Sequence, residues 1–233
     1  MTARACDARW PDTLAPGDLL LLDYAPEPAD LPLLWAALAP AEQERAARLA
    51  GPGARDASVA AHGIKRLLLA RLCGVAPGAL AFGVAAGGKP YLADRPGLHF
   101  SLAHTRGRIA LAVSADHPVG VDVEGTRPVA PILARHILHP GDDPAPGLLA
   151  HWVAKEAATK AWGMGLRLPF TSLCGEPGPD GWLAYRHGGR VAQVLRGADA
   201  LAHWAVAVDG TAGVHLRRLS VPAPQATYPS TAT

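Results

Sequence analysis

Leu148–Leu166, LLAHWVAKEAATKAWGMGL, reads as a helix with two unlike faces. Ala150, Ala154, Ala157, Ala158 and Ala161 form a stripe of small side chains that lets another element lie close to the helix backbone. The other face is chemical. Trp152, Glu156 and Lys160 succeed one another at i, i+4, with Lys155 and Thr159 beside them, so a carboxylate lies between ammonium groups on one surface. Taken alone, a Glu followed by a Lys at i+4 is an ordinary solvated pair worth about 0.2–0.5 kcal/mol to a helix. Its meaning depends on what the rest of the chain directs at it.

Immediately upstream, Asp116-His117-Pro118 makes a turn into Val119-Gly120-Val121-Asp122-Val123-Glu124. In an extended strand side chains alternate, so Asp122 and Glu124 share one side and Val121 and Val123 the other. A solvated edge strand would also carry such a pattern, but the apolar flanks argue for burial, and buried carboxylates need compensation. With Glu156 on the following helix, three carboxylates can converge on a hard divalent cation such as Mg²⁺, which takes oxygen ligands and completes its shell with water and phosphate. Such a metal implies a phosphate-bearing substrate.

The first half of the chain reads as an α+β lobe. Asp18–Tyr24 is a short buried strand closed by Pro26, Pro28 and Pro32. Pro40 opens a helix running through Leu49, which Gly51-Pro52-Gly53 terminates. Asp56 or Ser58 caps a longer helix ending at Gly74, with Val59, Leu67, Leu68 and Leu72 on its buried side and Lys65, Arg66 and Arg71 on its exposed side. Strands are expected at Leu80–Val84, Leu98–Leu102 and Arg108–Ser114. Gly87-Gly88-Lys89-Pro90 is a turn whose glycines let backbone amides approach an anion, with Lys89 adding a charge; it is not a P-loop, and a plain hairpin has the same composition. His104 sits at a strand-to-turn corner. Later, Ile132–Leu138 reads as a short helix. Trp182–Tyr185, Val191–Leu195 and Trp204–Val208 read as a meander turning at Gly188-Gly189, and the chain beyond Ser220 as an unstructured tail.

A chain of 233 residues with 49% hydrophobic and 18% charged residues is globular, and a net charge of +2 offers no global field for nucleic acid. Cys6, Cys73 and Cys174 form no metal spacing and fit a reduced, cytoplasmic setting. Leu19–Leu22 is too short for a signal-peptide core or a membrane span. Ala110-Leu111-Ala112-Val113 before Gly120-Val121 is echoed by Ala205-Val206-Ala207-Val208 before Gly213-Val214; chance similarity in an alanine-rich chain competes with duplication. The expected fold is α+β. It has two similar lobes forming a pseudo-dimer, each a small, mostly antiparallel sheet packed with helices, and the active site lies in the cleft between them. The lobes span 1–115 and 116–220, with a disordered tail over 221–233.

Gly88-Lys89-Pro90, Phe100-Ser101-Leu102-Ala103-His104, Gly120-Val121-Asp122-Val123-Glu124, Trp152-Val153-Ala154-Lys155-Glu156-Ala157-Ala158-Thr159-Lys160 and Gly163-Met164-Gly165-Leu166 together resemble the 4'-phosphopantetheinyl transferase family. The closer likeness is to its monomeric two-lobed class, typified by the surfactin-synthetase activator, with matching order from about Leu34 to Val208. The resemblance implies a monomeric Mg²⁺-dependent enzyme, with Mn²⁺ able to substitute. It would move the phosphopantetheine arm of coenzyme A onto a serine of an apo acyl or peptidyl carrier protein, releasing adenosine 3',5'-bisphosphate. The carrier would belong to a fatty-acid, polyketide or nonribosomal-peptide synthase, with no nucleic-acid or membrane partner.

Carried over by motif, Asp122, Glu124 and Glu156 are metal ligands and Glu156 is also the general base, acting directly or through water. Lys160 contacts the pyrophosphate and stabilises the leaving group. Gly88, Lys89, His104 and Lys155 contact coenzyme A, and Arg127, Arg135 and Arg167 are candidate carrier contacts. The chain departs from the family's usual residues at Ser101, Ala103 and Thr105, and at Glu42, Ala57 and His62 where the family carries basic groups. Arg45 and Arg55 are then expected to hold the 3'-phosphate instead. Two rival readings use the same residues: a Mg²⁺-dependent hydrolase of a nucleotide-like pyrophosphate, and an inactive module that binds coenzyme A or a carrier.

Overall fold

The computed structural model describes residues 10–211 and 213–221. Its first half contains β1 (Asp18–Tyr24), α1 (Leu31–Ala36), α2 (Pro40–Ala47), α3 (Pro52–Cys73), β2 (Phe82–Val84), β3 (Pro90–Leu92), β4 (His99–Thr105) and β5 (Arg108–Ser114). The second half adds β6 (Val119–Gly125), α4 (Ala134–Ile137), α5 (Leu148–Ala161), β7 (Glu176–Pro177), β8 (Leu183–His187), β9 (Arg190–Ala198), β10 (Ala202–Asp209) and β11 (His215–Val221). The fold is α+β. One sheet has the order β11-β1-β5-β4, a second has β6-β10-β9-β8-β7, and β2-β3 form a separate pair. Among the described residues all pairings are antiparallel except β1 with β11.

Side-chain alternation explains the packing. In β1, Leu20, Leu22 and Tyr24 pack with Ile64, Leu68 and Leu69 of α3, while Leu19 and Leu21 turn to the other face and join Val119, Val121, Val206 and Val208 of the second sheet. Both faces of β1 are therefore buried, which is why it reads as an unbroken apolar run. In β6, Val119, Val121 and Val123 face this shared core, so Gly120, Asp122 and Glu124 face the other way, as the alternation requires. The alanine stripe of α5 closes on that side: Ala154, Ala157, Ala158 and Ala161 pack with Ala205, Ala207, Val194 and Tyr185. Gly120 makes the close approach possible, because a Cβ there would collide with the Ala157 carbonyl and the Ala161 amide. The two stretches of the internal echo fall in β5 and β10, each an inner strand of its sheet.

The sheets meet where β4 lies beside β6. Val121 N–H donates to Ser101 Oγ at 3.1 Å and Gly125 N–H to Thr105 Oγ1 at 3.3 Å. Two of the residues at which the chain departs from the family pattern thus stitch the sheet seam.

Several sequence expectations need correction. The long helix begins at Pro52, with Gly51 as cap at φ 88°, so Asp56 and Ser58 lie inside its first two turns. Proline at the first helical position costs no hydrogen bond and ends the search for a polar cap. Lys65 and Arg66 are buried rather than exposed, because Glu42 of α2 meets both: its carboxylate pairs with Lys65 at 3.3 Å and with Arg66, which also donates to the carbonyls of Pro77 and Leu80. Leu67 and Leu72 are only partly buried. Helix α4 covers four residues, preceded by a 3-10 turn at Pro131–Leu133. Finally, the 116–220 segment sends one strand back to the first sheet. Strand β11 pairs with β1 up to Val221, where the tail was expected to have begun. Residues 222–233 and Cys6 lie outside the described residues; Cys73 and Cys174 are free thiols. Among the described residues no helix is long and apolar enough to cross a membrane.

Candidate active site

Strand β6 and helix α5 bring the sequence-predicted groups together. Lys160 Nζ donates to Asp122 Oδ1 at 2.8 Å and lies 3.7 Å from Glu156 Oε1. Asp122 is 6% exposed. Asp122 Oδ2 and Glu156 Oε2 are buried with no hydrogen-bond partner. Burial pushes the Asp122 carboxyl above its usual range, Lys160 opposes the rise, and Glu124 adds to it. Burial likewise raises Glu156, against Lys160, with Asp122 and Glu124 adding repulsion. Glu124 is turned aside to Arg127, 2.7 Å away. As the side chains lie, no three His, Cys, Asp or Glu among the described residues are gathered closely enough to hold a metal.

The donor set nevertheless fits a hard cation. Two orphaned, buried carboxylate oxygens that repel one another are costly unless a positive charge joins them, and oxygen ligands suit Mg²⁺ or Mn²⁺ rather than a softer metal. A single ammonium satisfies only one oxygen of each pair.

A pocket of about 390 Å³ reaches this cluster at Lys160. His62, Gly88, Lys89, Ser101, His104 and Lys160 are among its lining residues, so three elements of the first half and the end of α5 share one cavity. His104 is held below its usual range by burial and then by Lys160, so it acts as a neutral hydrogen-bonding group at physiological pH. His62 is pushed down to about 4 by burial and by Lys65, whose Nζ is 3.4 Å from its Nδ1. His62 entered the sequence reading only as a departure from the family pattern; its position three residues before Lys65 on α3 was the available signal.

The structure places the remaining expected residues unevenly. Arg45 is exposed and is not part of the lining, though its charge helps to lower the pKa of His62, which is. Arg55 lies instead over the ring of Trp35, 4.9 Å from its centroid, and is not part of the lining. Lys155 requires a correction: it is 0% exposed, and its ammonium donates to Ile137 O at 2.7 Å, Asp142 Oδ2 at 2.5 Å and Phe170 O at 3.1 Å. It braces α5 against the 137–142 and 170 segments, and all three protons are used away from the cavity. Lys89 lines the pocket, yet its Nζ donates to the carbonyls of Val119 and Ala161. Arg167 donates to the Gly163 and Met164 carbonyls.

The decisive comparison covers the segment that carries the carboxylates and Lys160: residues 118–209 match the model of the 4'-phosphopantetheinyl transferase superfamily. Over this segment the chain is similar to that superfamily. A 4'-phosphopantetheinyl transferase of Bacillus subtilis is 31% identical over 118 residues, 46% of this chain and 52% of the relative. The 4'-phosphopantetheinyl transferase HetI of Nostoc sp. is 32% identical over 148 residues, 57% and 62% of the two chains. The 4'-phosphopantetheinyl transferase Sfp of Bacillus subtilis strain 168 is 31% identical over 96 residues, 37% and 42%. The chain spans about half the length of the curated relatives it matches. The superfamily segment contains Asp122, Glu124, Glu156 and Lys160, whereas Gly88, Lys89 and His104 reach the site from outside it.

Proposed function

We propose that this protein transfers the 4'-phosphopantetheine arm of coenzyme A to a serine of an apo carrier protein, releasing adenosine 3',5'-bisphosphate. The observation that carries the reading is the meeting of Asp122, Glu156 and Lys160 at the edge of a cavity lined from the first half by Gly88, Lys89 and His104. The two sheets with their helices correspond to two lobes of a pseudo-dimer, and this cavity is the cleft between them. The protein works as a monomer in the cytoplasm on carrier domains of fatty-acid, polyketide or nonribosomal-peptide synthases.

Asp122, Glu124 and Glu156 are the residues that would hold Mg²⁺ or Mn²⁺. When bound, the cation neutralises the carboxylates and draws charge from the phosphate oxygens. The chain supplies the rest. Glu156, made more basic by burial and by its acidic neighbours, takes the proton of the carrier serine. The serine oxygen bonds to the phosphopantetheine phosphorus as the pyrophosphate P–O bond to the nucleotide breaks. Lys160 receives the charge growing on the departing phosphate, and the Gly87-Gly88 turn, bare of side chains, and the neutral His104 orient the coenzyme.

The test incubates the protein with coenzyme A, MgCl₂ and apo carriers of each of the three synthase types, followed by mass spectrometry of the carrier. Gain of one phosphopantetheine is expected on at least one carrier. Bisphosphate release with every carrier unmodified would make the protein a hydrolase, and coenzyme A binding with neither product would make it a binding module; either overturns the proposal.

A further inference from the structure

We infer that Lys89 is a positioning residue that sets the catalytic helix on its strand, rather than a ligand of coenzyme A phosphate; this rests on the transferase reading above. The carbonyls at the end of α5 can be accounted for one by one. Ala158 O accepts from Trp162 N–H, Thr159 O from Met164 N–H, and Lys160 O from Gly163 N–H. Ala161 O has the ammonium of Lys89, 3.0 Å away, as its donor. The next two carbonyls are met by side chains of the second half, Trp162 O by Arg190 and Gly163 O by Arg167. Lys89 therefore completes the end of α5 from a different part of the chain, and a cation there also complements the helix dipole.

The same ammonium donates to Val119 O at 2.8 Å. Val119 begins β6, three residues before Asp122, and Ala161 follows Lys160. Lys89 thus pins together the two elements whose separation sets the distance between Asp122 and Lys160. The apolar half of that contact is Gly120 against Ala157 and Ala161. The turn carrying Lys89 is itself seated on the helix end. It is closed by Ala85 N–H to Lys89 O at 2.9 Å and Gly88 N–H to Ala85 O at 2.8 Å, with Gly88 at φ 84°. Gly87 lies so close to Gly163 that any side chain would strike the Gly163 carbonyl. Two of the three ammonium protons are committed to buried carbonyls, which leaves Lys89 poorly free to follow a phosphate. Burial, the largest influence on it, lowers its pKa to about 8; Asp209 opposes the fall and Arg190 adds to it.

The experiment compares wild type, Lys89→Met and Lys89→Arg for coenzyme A binding by calorimetry and for carrier modification under steady state, with thermal melts to verify folding. Wild-type transfer is measured first, so that failure of the transferase reading is seen separately. Lys89→Met is expected to bind coenzyme A within twofold of wild type while kcat falls about tenfold or more, and Lys89→Arg, which keeps donors for two carbonyls, to recover part of kcat. A tenfold or greater loss of coenzyme A affinity with kcat preserved would overturn the inference, as would a Lys89→Met enzyme equal to wild type in both. If Lys89→Met fails to fold, Lys89→Gln takes its place under the same criteria.

Discussion

Asp122 and Lys160 meet at 2.8 Å across the contact between β6 and α5, although 38 residues separate them in the chain. Their ion pair leaves Asp122 Oδ2 and Glu156 Oε2 buried and unpartnered, so the site is strained toward accepting positive charge. Four further consequences can be measured.

Asp122→Asn should make the metal-free protein at least as stable as wild type while lowering transfer by at least about 100-fold, the scale of losing a charge-stabilising group. The Asp122 carboxyl is raised in the folded state, so folding takes up protons and stability declines as pH rises through the folded value. Removing the charge removes that decline. Thermal melts with chelator and with MgCl₂ at neutral pH should show Mg²⁺ stabilising wild type but not the variant. A variant melting well below wild type in chelator would contradict this.

Arg45→Ala should raise KM for coenzyme A about two- to fivefold, the worth of an exposed charge interaction, whereas Arg55→Ala should leave it unchanged. Arg45 acts on His62 in the pocket wall, and Arg55 is stacked on Trp35. Steady-state kinetics of the two variants decide it; equal effects would mean that both reach the 3'-phosphate.

Lys155→Met leaves Asp142 buried without its cation and should cost about 3–5 kcal/mol in chemical denaturation. Adding Asp142→Leu should recover part of the loss, since the two residues form one unit. A residue of the coenzyme site would raise KM and leave stability alone.

His62 has a folded pKa of about 4 against an ordinary 6.5. The unfolded chain therefore binds its proton first, and stability present above pH 6.5 is lost as pH falls toward 4. Lys65, His104 and Arg45 all disfavour the charged ring, and Glu42 alone favours it. Denaturation of wild type and His62→Gln at pH 7 and 4.5 should show the larger acid loss in wild type. His99 and His151, whose lowered pKa values do not involve His62, contribute equally to both proteins and cancel in the difference.

Much of the local structure was legible because it depends on neighbours in sequence. Asp18–Tyr24, Arg108–Ser114 and the helix from Leu148 emerged from runs and periods that reflect burial of one or two faces. The alternation of Val121, Asp122, Val123 and Glu124 placed both carboxylates opposite the shared core, and the motif resemblance is supported by the superfamily match over residues 118–209. β11 was not legible, since Arg217 and Arg218 interrupt its apolar pattern and its only reason to be a strand is the backbone of β1.

What the sequence by itself determined is which groups face one way along each element: Asp122 with Glu124, and Glu156 with Lys160, because strand and helix periods are set by local backbone geometry. What only the tertiary structure decided is where each charge is used. Lys65 and Arg66 look solvent-bound until Glu42 arrives from α2, and Lys155 looks like a phosphate contact until Asp142 and two carbonyls enclose it. Lys89 likewise turns from a glycine-loop cation into the donor that finishes α5. An ammonium goes to whichever acceptors burial leaves unmet, and those acceptors belong to distant parts of the chain that only folding brings together.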